Sequence, residues 1–109
     1  MTTITIIKSK NGNYKQVTCK GHAGYADSGE DVVCAAVSML VINTVNSLEA
    51  LTDTKMTVNA QEDSGTIDFR FTEDLKEDGR LLVDSLILGL SSVEKQYGKR
   101  YVKLKFREV

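Results

Sequence analysis

The sequence contains two long segments in which apolar residues recur every three or four positions, and each follows a pair of short segments with strand character. The first runs from Glu30 to about Ala50, and the second from Asp74 or Asp78 to Tyr97. This spacing is that of an amphipathic helix, which has to bury one side against another element. Two such helices among several short strands predict an α+β layer in which both helices cover one sheet.

Five segments around these helices have the composition of strands. Alternating or β-branched residues define them as Thr2–Lys8, Tyr14–Lys20, Lys55–Ala60, Thr66–Phe71 and Arg100–Arg107. The predicted order is therefore ββαββαβ, with two helices packed on a mixed or antiparallel sheet. We expect residues 1–109 to form a single domain.

Residue alternation and helix-end signals make three finer predictions. Simple alternation along the second strand places Tyr14 on the face opposite Val17. Ser28 or Gly29 is expected to cap the N-terminus of the first helix. Gly98 is expected to cap the C-terminus of the second helix.

Charge, cysteine content and hydropathy exclude several classes of protein. The net charge is -1 and the basic residues are scattered along the sequence, so no direct nucleic-acid binding is expected. Two cysteines are too few for a disulfide scaffold. Apolar runs end before the roughly 20 residues that a membrane span requires, and the first residues do not read as a signal peptide. A cytoplasmic protein without membrane contact is therefore expected.

The only histidine, His22, lies twelve residues before Cys34, one of the two cysteines. A thiol becomes a good nucleophile when a base takes its proton and the surroundings stabilise the thiolate. Cys34 falls near the predicted start of the first helix, where unpaired N–H groups and the helix dipole favour negative charge. Gly24 and Gly29 give the intervening loop the freedom to bring His22 over that helix end. The pair is a candidate for nucleophilic catalysis, with the same N–H groups as a candidate oxyanion hole.

Asp31 and Ser38 lie one helical turn before and after Cys34 and therefore share its side of the helix. Asp31 has three candidate roles: helix cap, partner that orients His22, or ligand for a substrate amine. The hydroxyl of Ser38 is a candidate donor to the sulfur of Cys34 or to a backbone carbonyl one turn back. The residues alone do not choose among these roles.

Other interpretations of the pair remain open at this point. His22 also fits a structural or solvent-facing residue, and Cys34 a small core residue of an Ala/Val-rich helix. A zinc site would use Cys19, His22, Cys34 and Asp27, although structural zinc sites usually bring two close ligand pairs. A redox disulfide between Cys19 and Cys34 is a further alternative, without a Cys-x-x-Cys motif to support it. We expect neither a metal nor another cofactor.

Two stretches together resemble the ribosomal-processing cysteine protease family (Prp), found in Firmicutes and related bacteria. They are Gly-His-Ala-Gly-Tyr-Ala at 21–26 and Gly-Glu-Asp-Val-Val-Cys-Ala-Ala-Val-Ser at 29–38. The resemblance extends over nearly the whole chain, including its length and the ββαββαβ order. It implies that Cys34 is the nucleophile and His22 its general base, with Gly21, Asp31 and Ser38 at supporting positions.

The resemblance also implies a substrate and an assembly. Members of the family remove a short N-terminal extension from the large-subunit ribosomal protein numbered twenty-seven, form homodimers, and have a loop before the cysteine that moves to admit substrate. In that loop we expect Asp27, Glu30 and Asp31 to attract a basic stretch of the substrate, and Tyr25 to cover an apolar one. The alternative is a non-catalytic, ribosome-associated binding module in which the histidine and the cysteine are structural.

Overall fold

The computed structural model describes residues 1–21, 31–61 and 65–109, which contain five strands and two helices. The strands are β1 (Thr2–Lys8), β2 (Tyr14–Lys20), β3 (Met56–Gln61), β4 (Thr66–Phe71) and β5 (Val102–Glu108). The helices are α1 (Val32–Leu51) and α2 (Glu77–Tyr97). The predicted α+β fold and the ββαββαβ order are confirmed.

The strands form one mixed sheet in the order β3-β4-β2-β1-β5. Neighbouring strands are antiparallel except β1 and β5, which run parallel. Both helices pack on one face of the sheet because each has an apolar side to bury. The buried core on that face includes Ile4, Ile6, Val17, Phe69 and Val102 from the sheet and Val33, Val37, Val41, Leu48, Val83, Leu86 and Leu90 from the helices.

The alternation predicted for β2 fails at its first residue. The pairing of β1 with β2 shifts after Ile7: Ile7 lies opposite Gln16, whereas Lys8 lies opposite Tyr14, so Lys15 is an extra residue in the ladder. One extra residue reverses the side on which the preceding side chain lies. Tyr14 is therefore buried on the core face, and the prediction that it lies on the opposite face is wrong.

The first helix begins later than predicted, at Val32 and not at Glu30. Its N-cap is Asp31, while the expected caps Ser28 and Gly29 lie outside the described residues. Aspartate is among the best N-caps because its carboxylate reaches the unpaired N–H groups of the first turn. The cap therefore lies three residues before Cys34, closer than the sequence indicated.

The second helix and its ends agree with the prediction. α2 begins at Glu77, and Glu77 and Asp78 place negative charge at the positive end of its dipole. Gly98 follows with a φ of +99°, and its N–H donates a hydrogen bond of 2.8 Å to the carbonyl oxygen of Glu94. The predicted glycine cap is confirmed.

α1 also meets, by length and composition, the criteria for a helix that crosses a membrane. Polar residues interrupt its apolar run, but they carry no charge before Glu49. Its inward residues belong to the buried core of the fold, and core helices commonly meet the same criteria. Four large apolar residues of α1 remain exposed: Val32, Met39, Ile42 and Leu51.

Candidate active site

Cys34 is the third residue of α1, and the side chain of the N-cap residue Asp31 binds the backbone N–H of Cys34. The Oδ1 atom of Asp31 accepts a hydrogen bond of 2.9 Å from the N–H of Cys34. The carbonyl oxygen of Asp31 accepts a second hydrogen bond, of 3.0 Å, from the N–H of Ala35. These two bonds fix the first turn against its cap. Of the three roles considered for Asp31, the described contacts show the helix cap.

The same turn supplies a favourable environment for negative charge. The first N–H groups of an α-helix have no partner within the helix, and the dipole adds roughly half a positive charge there. The carboxylate of Asp31 uses the N–H of Cys34. The N–H groups of Val32 and Val33 are the first-turn donors that this cap does not use. They are candidates to stabilise an oxyanion next to the thiol.

Cys34 lies in the wall of a groove of about 370 Å³ that the described residues form between α1 and the β3–β4 hairpin. From α1 the groove is lined by Cys34, Val37, Ser38, Ile42, Val45 and Asn46. The sheet contributes Thr2, Cys19, Gly21, Val58, Ala60, Gln61, Gly65, Thr66 and Ile67. A largely apolar groove of this size, with a few polar groups in its lining, is typical of a binding site for a small ligand or a peptide segment.

The second cysteine, Cys19, lines the same groove but in a different environment. It is 5% exposed, and burial, with the nearby Cys34 as a second cause, raises the pKa of the Cys19 thiol to about 11. Cys34 is only partly buried, and neither cysteine forms a disulfide. Attack requires a thiolate, which burial disfavours at Cys19. Cys19 is therefore the less suitable of the two thiols for nucleophilic attack, and the redox disulfide is not observed.

The turn at Gly21 determines where the chain leaves the sheet beside this groove. Gly21 has a φ of +91°, a conformation that favours glycine. A Cβ atom at this position would lie 2.6 Å from the carbonyl oxygen of Met1. Both the backbone conformation and the close approach of the N-terminal strand therefore require glycine. His22 is the next residue in the chain, so this turn sets the starting point of the segment that carries it.

One family model, described as "Cysteine protease Prp", matches residues 1–103. The chain belongs to the Prp family. It is therefore a cysteine-type peptidase, a hydrolase, and the alternative of a non-catalytic binding module is set aside. The family resemblance noted in the sequence is confirmed.

Relatives share the Prp fold over nearly their full length. The ribosomal processing cysteine protease Prp of Bacillus subtilis (strain 168) is 32% identical over 101 residues, which cover 89% of this chain and 90% of that protein. The essential ribosomal processing protease Prp from S. aureus, crystallised with a covalently linked product peptide, has a TM-score of 0.93 at 24% identity, covering 98% of this chain and 100% of that chain. A Streptococcus mutans crystal structure has a TM-score of 0.86 at 32% identity, covering 100% and 96%.

Four of the predicted site residues, Gly21, Asp31, Cys34 and Ser38, are among the described residues, and they lie at or beside the groove. Gly21, Cys34 and Ser38 line it, and Asp31 caps the helix that carries Cys34. The hydroxyl of Ser38 makes no hydrogen bond to the described residues, so neither partner considered for it is observed. The other predicted site residues, His22, Gly24, Tyr25, Asp27, Gly29 and Glu30, lie outside the described residues. Two of the four ligands of the alternative zinc site, His22 and Asp27, are among these residues, so that site also lies outside the described part of the chain.

The sequence did not indicate which residues form the rest of the groove. On α1, Ile42 and Asn46 continue the four-residue spacing of Cys34 and Ser38, so a search along that helical row would have found them. Val58 in β3 reaches the groove only because β4 pairs β3 to the end of β2. Pairing between segments so far apart in the chain has no local sequence signal.

Proposed function

We propose that this peptidase removes the short N-terminal extension of a large-subunit ribosomal protein, the one numbered twenty-seven, with Cys34 as nucleophile and His22 as general base. The position of Cys34 carries the proposal: a partly buried thiol in the first turn of α1, in the wall of an apolar groove. His22 is assigned from the family motif and from its place in the sequence, directly after Gly21, which lines the groove.

The reaction is acyl transfer in two stages. His22 accepts the proton of Cys34, and the thiolate sulfur attacks the carbonyl carbon of the scissile bond. The carbonyl oxygen carries the negative charge, for which the N–H groups of Val32 and Val33 are donors. His22 then protonates the leaving amine as the C–N bond breaks, and the extension remains on Cys34 as a thioester. Water, deprotonated by His22, hydrolyses the thioester and restores the thiol.

The shape of the groove supports a peptide substrate in an extended conformation. The row from Cys34 to Asn46 spans twelve residues of α1, or about 18 Å at 1.5 Å per residue. An extended peptide of about five residues covers that length. The relatives support the substrate class, since the curated ones are named ribosomal processing proteases. The S. aureus protease was also crystallised with a substrate peptide and with a covalently linked product peptide.

The direct test is cleavage of the ribosomal protein precursor, followed by mass spectrometry of the products. We expect the wild type to release the extension, and both Cys34→Ala and His22→Ala to release none. Cys19→Ala is the matched control because it removes the other thiol of the groove, and we expect it to retain cleavage. Cleavage by Cys34→Ala would refute the mechanism. An enzyme that cuts other peptides through Cys34 but leaves this precursor intact would refute only the substrate.

The loop before α1 supplies a second part of the proposal, substrate attraction by charge. Asp27, Glu30 and Asp31 place three carboxylates within five residues, and they would attract a basic stretch after the cleavage point. The double variant Asp27→Lys/Glu30→Lys should then process the precursor more slowly at low salt, with the difference shrinking as salt screens the charges. Tyr25 in the same loop is proposed to cover an apolar substrate residue. Equal rates at low salt would remove the charge proposal.

We also propose that the enzyme is a cytoplasmic homodimer. The outward side of α1 supports association, because Val32 and Met39 are exposed seven residues apart and therefore lie on one stripe. Light scattering coupled to size exclusion tests this directly. The wild type should elute with twice the mass of one chain, and Met39→Lys should shift it towards the monomer. A monomeric wild type at micromolar concentration would contradict the proposal.

A further inference from the structure

The face of the sheet opposite the helices is strongly basic. No described element covers it, and the five cations on it are all exposed: Lys20, Arg70, Lys103, Lys105 and Arg107. Among the described residues, Asp68 is the carboxylate that faces the same side. The two helices on the opposite side carry five carboxylates and two cations. The net charge of -1 for the whole chain therefore conceals a separation of charge across the molecule.

Strand register brings these cations together from distant parts of the chain. Lys103, Lys105 and Arg107 occupy alternate positions of β5, so their side chains leave the same face at steps of about 6.6 Å. Lys20 and Arg70 extend the patch across the sheet on β2 and β4. Neutral residues that can donate hydrogen bonds lie between them on that face, namely Thr3, Thr5, Gln16 and Thr18.

The positive charge of this face is not neutralised within the described structure. None of the five cations takes part in a salt bridge with the described residues. The carboxylate of Asp68 accepts hydrogen bonds of 2.6 Å from Gln16 and 2.8 Å from Thr18, so neutral donors satisfy it. A face whose cations form no ion pair with the described residues attracts a polyanion over a distance set by the ionic strength.

We propose that this face binds the phosphate backbone of RNA. Lysine, arginine, threonine and glutamine are the side chains that contact phosphate oxygens in protein–nucleic acid complexes, and all four types are present here. Ile7 is the large apolar residue on the face and is half-buried, so insertion into a lipid surface has little to drive it. The scattered basic residues of the sequence thus become a patch in the fold, contrary to the expectation of no nucleic-acid partner.

RNA on this face leaves the peptide groove accessible. The groove lies on the helix side of the sheet, between α1 and the β3–β4 hairpin, whereas the cations lie on the other side. An enzyme bound to RNA through the sheet therefore keeps Cys34 open to substrate. This interaction goes beyond the proposed proteolysis and does not depend on it, since binding and cleavage are measured separately.

The test is fluorescence anisotropy of a labelled RNA hairpin titrated with the full chain at several salt concentrations. We expect Lys103→Gln/Lys105→Gln to bind at least about tenfold more weakly than the wild type at low salt, because two phosphate contacts and the counterions that they release are lost. The dependence of log K on log salt should also become shallower. Lys76→Gln/Lys95→Gln removes the same charge from the helix side and is the matched control. It should bind within about twofold of the wild type, and peptide cleavage by both double variants should be unchanged.

Three results would overturn the proposal. One is a wild type that does not bind the hairpin at low salt, and another is equal weakening by the two double variants. The third is a preference for a different partner through the same lysines. Vesicles containing phosphatidylserine that bind while RNA does not would assign the face to a membrane surface. Loss of self-association in Lys103→Gln/Lys105→Gln would assign it to a second copy of the chain.

Discussion

The carboxylate of Asp31 accepts a hydrogen bond of 2.9 Å from the backbone N–H of Cys34. The cap of α1 and the proposed nucleophile are therefore joined directly, so that a change in one should affect the other. A helix start that frays would displace the thiol and the first-turn N–H groups together. Stability and catalysis should respond in parallel to changes at Asp31.

Two substitutions of Asp31 distinguish the effect of its hydrogen bond from the effect of its charge. Loss of an N-cap costs about 1 kcal/mol of the free energy of unfolding, whereas asparagine caps nearly as well as aspartate. We expect Asp31→Ala to lower the unfolding free energy by that amount and to reduce kcat/KM. Asp31→Asn should restore stability, measured by urea unfolding. If Asp31→Asn is as unstable as Asp31→Ala, the cap is not what holds this turn.

Gly21 should be far less tolerant of a side chain than another glycine with the same backbone conformation. Gly21 and Gly12 have φ values of +91° and +87°, so alanine is strained at both, by about 1 kcal/mol. At Gly21 the new Cβ would also lie 2.6 Å from the carbonyl oxygen of Met1, whereas at Gly12 the nearest atom is 3.8 Å away on the side chain of Arg80. We expect the melting temperature to fall at least twice as far in Gly21→Ala as in Gly12→Ala. Equal losses would mean that the contact with Met1 relaxes without cost.

The buried thiol of Cys19 predicts a loss of stability at alkaline pH. Burial raises its pKa from 9.0 to about 11, so between these values the unfolded chain releases a proton that the folded chain retains. The contribution of the protonated Cys19 thiol to the free energy of unfolding is complete below pH 9. It then falls by about 1.4 kcal/mol for each pH unit until the pH reaches the folded-state pKa of about 11. We expect the unfolding free energy of the wild type to fall more steeply between pH 9 and pH 10 than that of Cys19→Ala. Parallel curves for the two proteins would contradict the assignment.

The apolar wall of the groove should contribute to substrate binding. Val58 is 41% exposed on the edge strand β3 and lines the groove. Val58→Thr keeps the shape and the β-branching but replaces one methyl group with a hydroxyl, which should cost about 1 kcal/mol of binding free energy and raise KM about fivefold. Thr57→Val makes the reverse change at the neighbouring position, whose side chain lies on the other face. It should leave KM unaltered. An equal KM for Val58→Thr and the wild type would exclude Val58 from the substrate site.

The sequence predicted the elements of this fold better than their details. Helical and strand periodicity, with the turn residues between them, identified all seven elements, although β3 is almost wholly exposed. The bulge at Lys15 escaped prediction, since one extra residue has no signature in composition, and it moved Tyr14 into the core. The helix start was misplaced because Ser28, Gly29 and Asp31 are all acceptable caps. Only the structure shows which of them the backbone uses.

The sequence likewise indicated some residues of the candidate site and missed others. Asp31, Cys34 and Ser38 could be predicted as neighbours because they follow one another at helical spacing from the cap of α1. The groove beside them could not be predicted, because Val58 and Ile67 arrive through strand pairing across the sheet. The basic face was hidden for the same reason, since Lys20, Arg70 and Lys103 are distant in the chain. Properties that depend on long-range pairing need the fold.

The most direct test of the mechanism is intact-mass spectrometry of the enzyme, quenched in acid during turnover of the ribosomal protein precursor. We predict a species heavier by the acyl form of the N-terminal extension, with the added mass on the peptide that contains Cys34 and none on Cys19. Cys34→Ala should show no such species and no cleavage. Continued cleavage without an adduct on Cys34, or an adduct on Cys19, would contradict the assignment of Cys34 as the nucleophile.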